Sequence, residues 1–114
     1  MDKERKITLT DFSKLDIRVG CILRVDDFPE ARKPAYRIEV DCGPLGIKRS
    51  SAQITDGYSK EALINRKVLC VVNLPPLRVA GFKSEVLILG ACQEYEPVNL
   101  LKTDKDIAAG TRIS

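Results

Sequence analysis

Between residues 17 and 25 the side chains alternate. Ile17, Val19, Cys21, Leu23 and Val25 fall in one phase, and Arg18, Gly20, Ile22 and Arg24 in the other. Strand side chains repeat every two residues, so this pattern predicts a half-buried strand. Gly20 has no side chain to pack mid-strand, which predicts a bulge or sharp coil of the kind a strongly curved barrel needs. Upstream, Asp11-Phe12-Ser13-Lys14-Leu15 reads as one helical turn with Thr10 or Asp11 as its N-cap. Beyond the two-proline loop 28–34, alternation resumes with Tyr36, Ile38, Val40 and Cys42 against Arg37, Glu39 and Asp41, a second strand. Gly43-Pro44-Leu45-Gly46 turns the chain into a third, more polar strand at 47–54. Ser59 caps a short predicted helix to Ile64, and a fourth strand at 67–74 ends at Pro75-Pro76, because proline cannot donate to a ladder. Residues 77–83 read as a loop around Gly81, followed by a last strand at 85–92.

Three strands, a short helix and two more strands is the OB-fold order, so the expected architecture is all-β: a five-stranded OB-fold barrel with short helices. An SH3-like barrel is the rival, but it has no need of the helix at 59–64. The 114 residues make one domain, read as an N-terminal extension at 1–10 and a single domain at 11–114. In the late strands Val68 to Val72 and Val86 to Leu89 are apolar on both faces, although a small barrel keeps one face wet. Either the segments around Phe12 and 98–101 cover the outer face, or a second copy of the chain does. Residues 104–114 carry no periodic pattern and read as an irregular closing arm.

Composition narrows the chemistry. Histidine is absent, which removes the side chain most used as general base and metal ligand, and no glycine-rich phosphate loop is present. The serine pair Ser50-Ser51 has no histidine to activate it, so neither an enzyme nor a cofactor is expected. Cys21, Cys42, Cys70 and Cys92 are too widely spaced to open a zinc site and each lies in an apolar run, so free buried thiols are expected. With no apolar run long enough to span a membrane and a charged start, Met1-Asp2-Lys3-Glu4-Arg5-Lys6, the expectation is a cytoplasmic protein.

The net charge of +3 conceals an uneven distribution. Residues 32–83 hold ten Lys and Arg against four Asp and Glu, while 1–31 sum to −1 and 84–114 to −2. A basic middle can supply a positive groove, though cations that merely solvate strand faces would give the same count. Within it Ser50, Ser51 and Gln53 offer donors to phosphate oxygens or to a peptide backbone. Asn73, at the end of an apolar strand, must find partners in a loop or a ligand. Arg78, Phe82, Lys83 and Ser84 surround Gly81 on a loop suited to presenting binding groups. Six aromatic residues and no tryptophan leave few stacking platforms, which argues against a general single-strand binder.

Leu15-Asp16-Ile17-Arg18-Val19-Gly20, Phe28-Pro29-Glu30-Ala31-Arg32-Lys33-Pro34-Ala35-Tyr36, Ser50-Ser51-Ala52-Gln53-Ile54-Thr55, Val71-Val72-Asn73-Leu74-Pro75-Pro76 and Ala80-Gly81-Phe82-Lys83-Ser84-Glu85-Val86-Leu87 resemble, in order and spacing over about 11–113, the CsaA-type secretion chaperones of the tRNA-binding domain family. The resemblance implies an OB-fold homodimer that serves protein export by binding unfolded preproteins and the export motor SecA. Arg18-Val19-Gly20 and Asn73-Leu74-Pro75 are also similar to the tRNA-binding appendages of synthetases. Those appendages carry Ser-Gly and Ser-Gln-Gly-Met where this chain has Ser51-Ala52-Gln53 and Ser84-Glu85-Val86-Leu87, and the acidic Glu85 favours the chaperone branch. Leu77 stands where CsaA-like chains tend to have a basic residue. Ligand contacts, to peptide or RNA, are expected from Arg18, Lys48, Ser50, Ser51, Gln53, Asn73, Arg78, Phe82, Lys83 and Ser84. A structure-selective tRNA-binding module is the alternative function.

Overall fold

Thr8 sets the first element. Its hydroxyl accepts the Asp11 N–H at 3.1 Å while the Asp11 carboxylate accepts the Thr8 N–H at 3.2 Å, a reciprocal capping box that opens helix α1 (Leu9–Ser13). The cap lies two residues before the expected Thr10, because Asp11 serves as the third helical residue. The backbone bond from Thr8, followed by the Lys14 side chain, holds the Asp11 carboxyl below its ordinary pKa. The computed structural model describes residues 5–114, and the charged start at 1–4 lies outside the described residues.

Strand β1 (Ile17–Asp27) organises the barrel. It pairs with β2 (Tyr36–Asp41) along its second half and with β4 (Lys67–Val71) along its first half. β3 (Ile47–Ala52) flanks β2 and β7 (Leu87–Ile88) flanks β4, giving the antiparallel order β3-β2-β1-β4-β7. Helix α2 (Lys60–Leu63), capped by the Ser59 hydroxyl, lies between β3 and β4 as predicted, and buries Leu63. The core gathers Ile22, Val25, Ile38, Val40, Val68 and Val86, among others, into one apolar cluster.

The barrel closes through residues 84–86. The N–H groups of Glu85 and Val86 both donate to the Arg49 carbonyl, at 2.7 and 3.3 Å. The buried Ser50 hydroxyl donates to the Val86 carbonyl at 2.9 Å. Sequence alternation predicts one continuous strand over 85–92, but it is broken into β7 and β8 (Gly90–Ala91), because its first residues turn to seal β3 and β8 pairs instead with β9 (Asn99–Leu100). The predicted loop at 77–83 is a hairpin, β5 (Leu77–Val79) and β6 (Phe82–Ser84), turned by Ala80 and Gly81 at φ 47° and 82°. Positive φ at both central positions is what two-residue hairpin turns require, and it strains an alanine.

β1 corrects the sequence reading in a second way. The buried phase changes between Val19 and Ile22 and changes back across a bulge between Ile22 and Arg24, so that Ile17, Val19, Ile22 and Val25 are buried while Leu23 is exposed. Gly20 serves close approach instead: a Cβ there would sit 2.5 Å from Val40 Cγ1 and 3.4 Å from Cys70 Sγ. The four cysteines are free, and Cys42 and Cys70 are buried, but Cys21 is half-buried and Cys92 exposed, so the expectation of buried thiols holds for only part of the set. Burial pushes the Cys70 thiol up to about 12 and raises Cys42 as well.

The C-terminal arm is more ordered than its sequence implies. It ends in β10 (Arg112–Ile113), which pairs with the start of β1. Gly110, at φ 91°, leaves no room for a Cβ, which would lie 2.6 Å from Pro44 Cδ. Among the described residues no helix is long and apolar enough to cross a membrane.

Candidate functional site

Two surfaces meet along β3. On the first, the outward phase of the strands sets Arg24 and Asp26 of β1 beside Glu39 and Arg37 of β2, and these beside Arg49 and Ser51 of β3. The side chains are knitted by aromatic contacts. The Arg37 guanidinium lies 5.5 Å from the Phe28 ring centre, Phe28 meets Phe82 edge-on at 5.5 Å, and the Arg49 guanidinium lies 5.0 Å from the Phe82 ring centre. Arg37 also donates to the Asp27 carbonyl at 3.2 Å, and Arg24 pairs with Asp26 at 2.8 Å. Between these groups lies a hollow of ≈ 250 Å³ bordered by Arg24, Arg37, Glu39, Arg49 and Phe82. Arg37 and Arg49 are held by rings, Arg37 also by a backbone carbonyl and Arg49 by Glu85 at 3.9 Å, while Arg24 is held by Asp26; the three guanidiniums present planar donors of the kind that grip phosphate oxygens.

The second surface is apolar. The end of β3 and the segment 87–92 enclose a groove of ≈ 370 Å³ walled by Leu87, Ile88, Leu89, Val98 and Leu100, with Ser51 and Gln53 at its edge. Ser51 and Gln53 also border a second hollow of ≈ 320 Å³, between Ala31, Arg32, Lys33 and Ala35 on one side and Leu77 and Val79 of β5 on the other. The two hollows therefore share a polar divide, with apolar walls beyond it and cations on one rim.

The residues expected at the site divide by what already holds them. Arg18 bonds Asp16 at 2.6 Å and the Gly110 carbonyl at 3.0 Å, so it ties the C-terminal arm to β1. That hydrogen bond from Arg18 draws the Asp16 carboxyl below its ordinary pKa. Asn73 accepts from the Asp16 N–H and donates to the Lys14 carbonyl, fixing the helix-to-strand corner. Ser50 seals the barrel, and the Ser84 hydroxyl accepts the Ser51 N–H at 3.0 Å, docking the hairpin on β3. Glu85 accepts the Arg49 N–H at 3.1 Å, so its carboxylate belongs to the closure. Ser51 and Gln53 line the grooves and Phe82 the arginine face, while Arg78 and Lys83 face each other across the exposed hairpin, and Lys48 is half-buried opposite Val40.

Sequence reading missed Arg24, Arg37, Arg49 and Phe28, as well as the walls Leu87 and Val98. Arg37 was discoverable, because it occupies the outward phase of β2, whose inward phase is apolar. The groove was not, because its walls come from a strand that breaks at Leu89 and from a partner ten residues later.

The chain matches the model of the family described as "Putative tRNA binding domain" over residues 17–112. The crystal structure of the chaperone CsaA from Bacillus anthracis is 49% identical and superposes with a TM-score of 0.91, covering 96% of this chain and 100% of that one. The CsaA chaperone protein of Picrophilus torridus is 51% identical with a TM-score of 0.90, at the same coverage. The methionine–tRNA ligase of Thermococcus onnurineus is 39% identical over 111 residues, 97% of this chain but 15% of the ligase, so the chain spans only a small part of that relative's length. Family match, fold and sequence identity agree: the chain belongs to the tRNA-binding domain family and is of its CsaA type.

Proposed function

We propose that the protein is a chaperone that holds unfolded polypeptide without chemistry, and that the apolar groove between β3 and segment 87–92 is where it does so. The observation that carries this reading is the groove itself. Leu87 is half exposed beside Ile88, Leu89 and Val98, a continuous apolar wall with donors from Ser51 and Gln53 at its edge. Burying one Leu- or Phe-sized side chain there contributes roughly 1.5–3 kcal/mol, and the Ser51 hydroxyl and Gln53 amide, without hydrogen-bond partners among the described residues, can bond an extended backbone. The identity to two CsaA chaperones supports the same reading. Preproteins on their way to export, handed to SecA, are the substrates proposed by that kinship. The test is whether purified protein slows aggregation of a chemically denatured substrate and whether Leu87→Asp abolishes the effect. A wild-type protein that leaves aggregation unchanged refutes it.

A homodimer belongs to this proposal. Leu9, Phe12, Leu15 and Ile113 border an open hollow of ≈ 620 Å³ formed by the two ends of the chain, and Leu9 is 86% exposed. A second copy seated there covers that apolar surface, and sedimentation reads the outcome: Leu9→Asp with Phe12→Asp yields a monomer.

The arginine face supports a second reading, binding of tRNA. Its guanidiniums are positioned for phosphates, and a phosphate-contacting mode loses affinity steeply as salt rises because counterions are released. A flat salt response, or no tRNA shift at low salt, removes it.

A further inference from the structure

A third cleft lies away from both faces, between the corner 65–67 and the segment 102–106. It measures ≈ 290 Å³ and is lined by Asn65, Arg66, Lys67, Lys102, Thr103, Lys105 and two carboxylates, Asp104 and Asp106. The four cations exceed the acids by two charges. Asp106 is already matched, since Lys67 Nζ bonds it at 2.9 Å and also donates to the Ile107 carbonyl, which draws the segment against β4. Arg66, Lys102 and Lys105 have no such partner among the described residues.

Arg66 is built into the frame. Asn65, at φ 65°, turns the chain so that its N–H donates to the Ile22 carbonyl at 2.8 Å and the Ile22 N–H donates to the Arg66 carbonyl at 2.9 Å. The guanidinium stacks 5.0 Å from the centre of the Tyr58 ring, and that ring is fixed in turn by the Leu100 N–H bonding its hydroxyl at 3.0 Å. Its Nε is sealed from solvent with no hydrogen-bond partner. A partly desolvated cation without a counter-charge costs free energy, and an anion nearby offsets that cost. A guanidinium held by backbone and ring loses little freedom when an anion arrives.

We infer that this cleft binds an oxoanion of the phosphate class, with Arg66 as the fixed donor and the exposed Lys102 and Lys105 contributing from the opposite wall. The charge excess matches a dianion, and the volume admits inorganic phosphate or a terminal phosphomonoester. The inference does not depend on either proposed function, because no residue of the cleft lines the arginine face or the apolar groove.

The experiment follows the Arg66 Nε–Hε and the backbone amides of 65–67 and 102–106 by ¹H–¹⁵N correlation while inorganic phosphate is added, with sodium chloride at matched ionic strength as control. Saturable shifts confined to these signals, absent with chloride, are expected. Lys102→Ala with Lys105→Ala removes two exposed charges without touching the core, and weakens phosphate by about tenfold with the remaining spectrum unchanged. Shifts that do not saturate, that chloride reproduces, or that survive the double variant with unchanged affinity overturn the site. A 5′-phosphorylated dinucleotide that displaces phosphate, when its 5′-hydroxyl counterpart does not, identifies a nucleic-acid end as the source; failure of both to compete identifies free phosphate.

Discussion

On the β1–β3 face, Arg37 and Arg49 are held by Phe28, Phe82 and the Asp27 carbonyl, and the exposed Arg24 by Asp26. Across Ser51, the groove walled by Leu87, Val98 and Leu100 has no charged residue among its lining. The two surfaces share one strand yet draw on different physics. Attraction of phosphates to the first is screened as salt rises, whereas apolar burial in the second is insensitive to moderate salt and strengthened by excluded salts such as sulfate. Ionic strength therefore tells which surface a given ligand uses.

The sharpest break in the comparison is Leu87→Asp. A carboxylate in the apolar wall opposes desolvation, so binding of a fluorescent unfolded peptide is expected to weaken by about thirtyfold, while RNA binding by anisotropy stays within about twofold. Parallel loss of both would mean that the surfaces are one. The converse variant, Arg37→Ala with Arg49→Ala, is expected to weaken RNA by about tenfold and to flatten the dependence of log K on log salt by about 1.5 to 2, with peptide affinity unchanged. Ser50→Ala acts on the strand they share. Losing the hydroxyl bond that ties β3 to the Val86 carbonyl is expected to cost about 1 kcal/mol in thermal unfolding and to weaken both ligands slightly and together.

The smallest effect concerns pH. Because Arg18 holds the Asp16 carboxyl below its ordinary value, the Asp16 contribution to stability is fully present above the ordinary carboxylate pKa and is lost as pH falls through the lowered one. The contact of Arg18 with Gly110 is thus expected to stay intact at neutral pH and to loosen only in acid, below the ordinary carboxylate range, seen in the Gly110 and Thr111 amide signals.

Much of the frame was legible because alternation survives wherever one face is buried: β2 follows its predicted phase residue for residue, and Ser59 marks α2. The failures share a cause. β1 leaves its predicted phase at Ile22 and regains it at Val25 across the bulge, and Glu85 and Val86 leave their ladder to bond Arg49, both being tertiary events with no local signature. Of the residues expected at a site, Ser51, Gln53 and Phe82 line hollows, whereas Arg18, Ser50, Asn73 and Ser84 each have a bonded structural partner. Polar residues at strand ends look alike in sequence whether they await a ligand or a neighbouring backbone group.

The account rests on two separate surfaces, and direct competition tests it. A labelled unfolded peptide bound to the protein is titrated with a short RNA hairpin to saturation at low salt. The account predicts that peptide remains bound with its affinity unchanged and is released only by unlabelled peptide; stoichiometric displacement by the hairpin would contradict it.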